Sequence, residues 1–219
     1  MQRKIILTKD GSHSLLVEQM GETFHSRHGA LQEAVHVYIE NGLKRVQKED
    51  LKILEFGFGT GLNALLSCKY ATENQIKVHY ETIEAYPLVQ DEYSVLNYNN
   101  LAIGSDYFLK LHEIPWNQKK ATKFNDYFAI IKHLSKFEDF KTVQKFDLIY
   151  FDVFGYDYQP ELWDQNILQK TYDLLKTDGL WVTYACKGLV NRNMKEIGFE
   201  VLKLQGPPGK REMTIAYKK

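Results

Sequence analysis

Leu51-Lys52-Ile53-Leu54-Glu55-Phe56-Gly57-Phe58-Gly59-Thr60-Gly61-Leu62-Asn63 is the stretch that decides the fold. Its first six residues read as a short, apolar-rich strand ending at a glycine turn. Three glycines alternate through the turn, and residues 62–70 read as a helix. A strand, a tight turn and a helix in that order form the first unit of an α/β sheet. In such sheets ligands bind beyond the carboxyl ends of the strands, where glycine permits close backbone approach and positive φ. The dinucleotide fingerprint G-x-G-x-x-G is not met, because the third glycine comes one residue early and Glu55 precedes the first. An acidic turn suits a phosphate-free ligand with a cationic amino-acid end better than a pyrophosphate.

Working outward, the alternation continues. Strands are predicted at 78–84, 127–131, 146–152 and 180–185, and helices from Pro87 to about Asn97, at 162–175 (ended by Thr177-Asp178-Gly179) and at 189–197. Residues 199–204 and 213–217 read as a closing strand pair around Gly206-Pro207-Pro208-Gly209, which predicts an antiparallel strand at the C-terminal end of a mainly parallel sheet. The first fifty residues stand apart, with a short apolar run at Leu15-Leu16-Val17. A helix is predicted over 30–46, where Leu31, Ala34, Val35, Tyr38, Ile39 and Leu43 recur at helical spacing and Gly42 weakens the end. The stretch 114–124 reads as an irregular insertion. The whole is read as one domain, residues 1–219, with a substrate or lid extension at 1–50 and the core at 51–219.

Composition narrows the classes. The 219 residues carry 28 Lys+Arg against 28 Asp+Glu, and 13% are aromatic, so low-complexity disorder and a strongly basic nucleic-acid coat are excluded. Mean hydropathy is −0.40, and no apolar run approaches the roughly 20 residues of a membrane span. The charged start Met1-Gln2-Arg3-Lys4 is unlike a signal peptide, so a cytoplasmic location and no membrane partner are expected. Cys68 and Cys186 are far apart and outside any CxxC, which reads as two buried free thiols. Toward the C-terminus Lys187, Arg192, Lys195, Lys203, Lys210, Arg211, Lys218 and Lys219 outnumber Glu196, Glu200 and Glu212; on composition alone this is a solvated basic face.

Two acids add to the glycine turn. Glu84 ends the second core strand, where a carboxylate can accept hydrogen bonds from both hydroxyls of a ribose. Asp152 ends the fourth, in Tyr150-Phe151-Asp152-Val153-Phe154-Gly155. It can orient an amine, with Phe154, Tyr156 and Tyr158 stacking on a base or shaping a pocket, or it can simply cap the turn that follows. His25, Arg27 and His28 cluster without metal-site spacing. They read as part of a lid or as ordinary surface and capping residues, and no metal is expected.

The turn Glu55-Phe56-Gly57-Phe58-Gly59-Thr60-Gly61 resembles motif I of class I methyltransferases, which holds the methionine part of S-adenosylmethionine. Together with Ile83-Glu84-Ala85-Tyr86-Pro87, the run from Asp147 to Phe154, Pro160-Glu161-Leu162-Trp163, Gly209-Lys210-Arg211-Glu212-Met213 and two N-terminal segments, 10–14 and 22–30, the chain resembles the MnmC-type methyltransferases. The resemblance covers nearly all of the chain except about 117–143.

The resemblance implies a class I, Rossmann-like methyltransferase fold. Its mainly parallel seven-stranded sheet has helices on both faces and an antiparallel C-terminal strand. It implies methyl transfer from S-adenosylmethionine to the amine of 5-aminomethyluridine, or its 2-thio form, at the tRNA wobble position. Glu55, Gly57, Phe58, Gly59, Thr60, Gly61, Asn63, Glu84 and Asp152 would hold the cofactor. Asp152 would also be catalytic, and Phe154, Lys210 and Arg211 would meet the tRNA. Relatives carry a flavin domain that produces the amine; in 219 residues there is no room for one, so no FAD is expected and a separate enzyme would supply the precursor. The family has an acid after the third strand, near the adenine. Here Ile130-Ile131-Lys132-His133 offers none, which leaves Glu138, Asp139 or the backbone for that role. The rival readings are a methyltransferase of a small amine, an aminopropyltransferase of the spermidine-synthase type, and a non-catalytic RNA-binding module.

Overall fold

The computed structural model describes residues 2–100 and 106–219. Three short strands, β1 (Arg3–Leu7), β2 (His13–Val17) and β3 (Glu22–Thr23), form a small antiparallel sheet. A helical stretch follows, with α1 (Ala30–Ala34), a π-helical segment (Val35–Glu40) and a 3₁₀ turn (Leu43–Arg45). The core then runs β4 (Asp50–Phe56), α2 (Leu62–Asn74), β5 (Lys77–Glu84), α3 (Gln90–Tyr93), α4 (Tyr107–Glu113), β6 (Thr122–Lys123), β7 (Phe128–Leu134) and β8 (Phe146–Phe151). It closes with α5 (Gln165–Leu174), β9 (Leu175–Thr183), α6 (Gly188–Ile197), β10 (Phe199–Gln205) and β11 (Glu212–Lys218).

The large sheet has the order β10-β11-β9-β8-β4-β5-β7-β6. Pairings β4–β5, β4–β8, β5–β7 and β8–β9 are parallel, and β11 is antiparallel to both β9 and β10. This is the anticipated class I arrangement with one addition. The two-residue β6 pairs antiparallel with the edge of β7 and makes the sheet eight-stranded rather than seven-stranded. Central strands buried on both faces are near-continuously apolar. In β4, Leu51 and Ile53 point into the core beneath α1, α2 and α4, whereas Leu54 and Phe56 join the core under α5 and α6. β8 is buried along its whole length and splits the same way, Leu148 and Tyr150 against Ile149 and Phe151.

Four local readings need correction. The 30–46 helix widens at Val35–Glu40, where the Asn41 N–H donates to the His36 carbonyl; a Cβ on Gly42 would stand 2.4 Å from the Tyr38 carbonyl oxygen, so the chain folds back tightly there. The wide turn sets the Tyr38 ring 5.1 Å from Tyr150, beneath the carboxyl end of β8. The helix expected from Pro87 to Asn97 is one turn, α3, plus a 3₁₀ turn (Asn97–Asn100), because Val89 and Val95 face solvent and no apolar stripe continues. Thr177-Asp178-Gly179 does not cap α5. It bulges inside β9, with Asp178 at positive φ, while α5 runs straight into the strand at Leu175. Cys186 is half-exposed rather than buried; only Cys68 is buried. β1 and α4 went unread in the sequence. No helix among the described residues is long and apolar enough to cross a membrane.

Asp147 anchors the amino end of β8. Its buried carboxylate accepts from Lys48, from Lys176 at 2.8 Å and from the Lys52 N–H at 2.9 Å. Burial alone would raise its pKa; these donors overcome that and hold it below the usual value. A depressed folded-state pKa contributes stability above the unfolded-state pKa and loses it as pH falls through the folded one. Asp147→Asn should therefore lower the unfolding free energy by about 1–3 kcal/mol at pH 7. Denaturant melts should show the deficit shrinking toward pH 3, and an equal deficit at both pH values would contradict the ion-pair account.

Candidate active site

Two chain crossings at the carboxyl edge of the sheet build the site. After β4 the backbone turns through Gly57, whose N–H donates to the Ile83 carbonyl at 3.0 Å. After β8 the Asp152 N–H donates to the Phe56 carbonyl at 2.9 Å. The two turns pass so closely that a Cβ on Gly57 (φ +92°) would lie 2.2 Å from the Asp152 carbonyl oxygen. Gly61 takes a left-handed conformation and opens α2.

A cleft of about 230 Å³ lies over this crossing. Gly57, Gly59, Glu84, Asp152 and Phe154 line it, all of them anticipated from the sequence. Glu84 presents its carboxylate there while one oxygen accepts the Gly59 N–H at 3.0 Å and the other the Tyr86 N–H at 2.9 Å. A carboxylate has lone pairs to spare after two such bonds. Glu138 is in the wall and Asp139 is not.

The other turn residues sit behind the wall. Glu55 is wholly buried and accepts from Thr82 at 2.8 Å and Asn63 at 3.2 Å; burial pushes its pKa well up. Asn63 is buried and bridges Glu55 to Asp152, donating to the latter at 2.8 Å. Thr60 is buried between two histidines: its hydroxyl meets His25 Nε2 at 2.7 Å and its carbonyl meets His112 Nε2 at 2.9 Å. Burial lowers both histidines, to about 4 and about 3, so both are neutral near pH 7. Phe58 is buried against His112 and Trp116. These side chains brace the turn and do not line the cleft.

Lys132, where the sequence offers no acid, is fully buried. Its ammonium donates to the Leu111, His112 and Ile114 carbonyls at 2.9–3.1 Å and lies 4.5 Å from the Trp116 ring centroid. It caps the last turn of α4, and burial lowers its pKa to about 8.

The roof and far wall went unread in the sequence. The small sheet carries Phe24 over Gly59 and edge-on to Phe154, with ring centroids 5.2 Å apart. Arg3 reaches the cleft while donating to Glu92 at 2.8 Å and to the Tyr86 carbonyl at 2.6 Å. Tyr184 lines the Asp152 end and donates to the Val153 carbonyl at 2.8 Å. Lys210 does not face outward. Its ammonium pairs with buried Glu33 at 2.5 Å and sits 3.7 Å from the Tyr184 ring centroid, whereas Arg211 is exposed.

Asp152 is the distinctive group. Burial pushes its pKa from 3.8 up to about 7; Tyr38, Asn63 and Lys210 oppose the shift and Glu33 adds to it. A raised folded-state pKa contributes stability at low pH that is lost as pH climbs through the folded value. Asp152→Asn carries no such ionisation, so its melting temperature should match wild type near pH 4, exceed it increasingly up to about pH 7 and then stay ahead by a constant margin. Thermal melts across pH 4–9 measure this, and parallel curves would contradict it.

A profile of the S-adenosyl-L-methionine-dependent methyltransferase family matches residues 109–219, which include β7, β8, Asp152, Tyr184 and the Lys210 turn. The chain is 26% identical to the tRNA 5-methylaminomethyl-2-thiouridine biosynthesis bifunctional protein MnmC of Marinomonas sp., covering 90% of this chain and 31% of that protein. It is 27% identical to MnmC of Leptospira interrogans, covering 96% and 34%. The chain thus spans about a third of the length of these curated relatives. Among solved structures, MnmC2 from Aquifex aeolicus superposes with a TM-score of 0.78 at 22% identity, over all of this chain and 71% of that one. Spermidine synthase from Thermotoga maritima gives 0.58 at 15% identity, over 99% and 68%. At these identities the likenesses establish the fold. With the profile covering just over half of the chain, the glycine turn and cleft already described are those of a protein that belongs to the S-adenosyl-L-methionine-dependent methyltransferase family and is related to the MnmC proteins.

Proposed function

We propose that the cleft binds S-adenosylmethionine and methylates the exocyclic amine of 5-aminomethyl-(2-thio)uridine at the tRNA wobble position. The carrying observation is Asp152, a carboxyl group with a raised pKa in the wall of a glycine-floored cleft that the aromatic residues Phe154 and Tyr184 also line. The residues fit the cofactor: the glycine turn presents bare backbone to the cleft at Gly57 and Gly59, and Glu84 keeps lone pairs facing the cleft for ribose hydroxyls. When bound, the cofactor supplies an electrophilic methyl group on a sulfonium.

The chain's own residues handle the amine. An alkylamine is mostly protonated at neutral pH, with a pKa near that of lysine, ~10.4. Only its neutral form has the lone pair that can form the new C–N bond as the C–S bond breaks and its electrons return to sulfur. The carboxylate of Asp152 accepts a hydrogen bond from the amine, orients the lone pair and takes up the proton lost at nitrogen. A raised pKa makes it a better acceptor than an ordinary aspartate. Phe24 and Phe154 give a planar base an apolar wall and limit water entry. Positioning amine and methyl in line supplies much of the remaining acceleration. Another activity has to supply the aminomethyl precursor.

The test is methyl transfer from labelled S-adenosylmethionine to tRNA bearing 5-aminomethyluridine, read by nucleoside mass spectrometry. One added methyl on that nucleoside is expected, and Asp152→Asn should lower kcat by ~10²-fold or more with little change in cofactor affinity. Methylation of free small amines but not tRNA, or aminopropyl transfer from the decarboxylated cofactor, would overturn the proposal.

A further inference from the structure

Two segments far apart in sequence form the rim above the Asp152 end of the cleft. One is 25–28, leading from the small sheet into α1; the other is the 206–211 turn between β10 and β11. The second reaches this edge because β11 runs antiparallel and so begins where the parallel strands end. Glu33 staples the two together, accepting the Ser26 N–H at 2.9 Å with one oxygen and Lys210 Nζ at 2.5 Å with the other. The His28 ring rests on Gly209, where a Cβ would stand 2.1 Å from a ring carbon. Lys9 joins the rim through its N–H, which donates to the Arg27 carbonyl at 3.0 Å. Exposed Tyr158 meets the rim through its hydroxyl, which bonds Glu22 and also feels the charge of Arg27.

Charge on this rim is not balanced outward. Its acids are engaged by donors of the chain itself: Glu33 by Lys210, Asp10 by Ser12 and the Gln32 N–H, Glu22 by the Thr23 N–H and the Tyr158 hydroxyl, and Glu212 by Lys203. Lys9, Arg27 and Arg211 are exposed and make no ion pair among the described residues. In a chain of zero net charge, three unpaired cations beside the cleft mouth form a local anion-binding surface. Their spread over three segments suits an extended polyanion rather than a single phosphate.

We propose that Lys9, Arg27 and Arg211 bind the phosphodiester backbone of the RNA whose nucleoside enters the cleft, an inference that rests on the tRNA substrate proposed above. Lys210, turned inward, holds the two halves of the surface together. Contacts of this kind set register and orientation, while the cleft selects the nucleoside.

The test compares Arg27→Ala/Arg211→Ala with Lys77→Ala/Lys195→Ala, which removes two exposed cations away from the rim, one at the start of β5 and one in the last turn of α6. Binding of tRNA to the full chain is followed by fluorescence anisotropy across a salt series, with S-adenosylmethionine affinity and melting temperature as folding checks. The rim variant should bind about tenfold or more weakly, with the log–log salt slope reduced by roughly 0.7 for each phosphate that is no longer neutralised; adding Lys9→Ala should weaken it further, and the control should bind like wild type. Cofactor affinity should stay unchanged in all. Should the rim variant misfold, Arg27→Gln/Arg211→Gln replaces it. Equal losses in both variants, or none in either while wild type still methylates tRNA, would overturn this surface alone. A wild-type chain that neither binds nor methylates tRNA would overturn the tRNA reading as well.

Discussion

The absence of a side chain at Gly57 is the constraint on which the site depends. The Asp152 carbonyl occupies the space any Cβ there would need, at 2.2 Å, and only that closeness lets the turn after β4 and the turn after β8 share one floor. The hydrogen bond from the Asp152 N–H to the Phe56 carbonyl locks the crossing. Everything chemical is then fixed relative to it. Glu84 grips the turn from one side through the Gly59 N–H, and Asn63 links Asp152 to Glu55 from below. A larger residue at position 57 would separate the floor from the acid above it.

Around that crossing the protein uses buried polar groups as braces. Glu55, Thr60, His25, His112 and Lys132 are all buried, each with hydrogen-bond partners that hold the loops in place. Buried polar groups left unpaired are costly, so a satisfied set of this kind favours one loop geometry over its neighbours. The histidines stay neutral and do not compete with Asp152 for protons near pH 7. Asp152, in the cleft wall, is left with a pKa near neutrality.

The fold was legible in the sequence because its signals are local. Apolar runs at β4 and β8, the alternating glycines and the spacing to Glu84 each need only neighbouring residues to be read. The misreadings have the opposite character. The bulge at Asp178 depends on register with β8, and the short α3 depends on what Val89 and Val95 lack as partners. Of the candidate site, Gly57, Gly59, Glu84, Asp152 and Phe154 were found because strand ends converge at one edge of a parallel sheet. Arg3, Phe24, Glu33 and Tyr184 were not, since their roles arise from contacts across long sequence separations. Lys210 was read as outward-facing because its cationic neighbours were visible and Glu33, distant in sequence, was not.

The central claim is that Asp152 takes the proton from an amine methylated in this cleft. The most direct test is a single-turnover pH–rate profile, with S-adenosylmethionine and tRNA bearing 5-aminomethyluridine, for wild type and Asp152→Asn. The account predicts a wild-type rate that rises through an apparent pKa at or below about 7. In the variant that limb should vanish, and the residual rate should climb toward the pKa of the amine. Superimposable profiles for the two proteins would contradict the account.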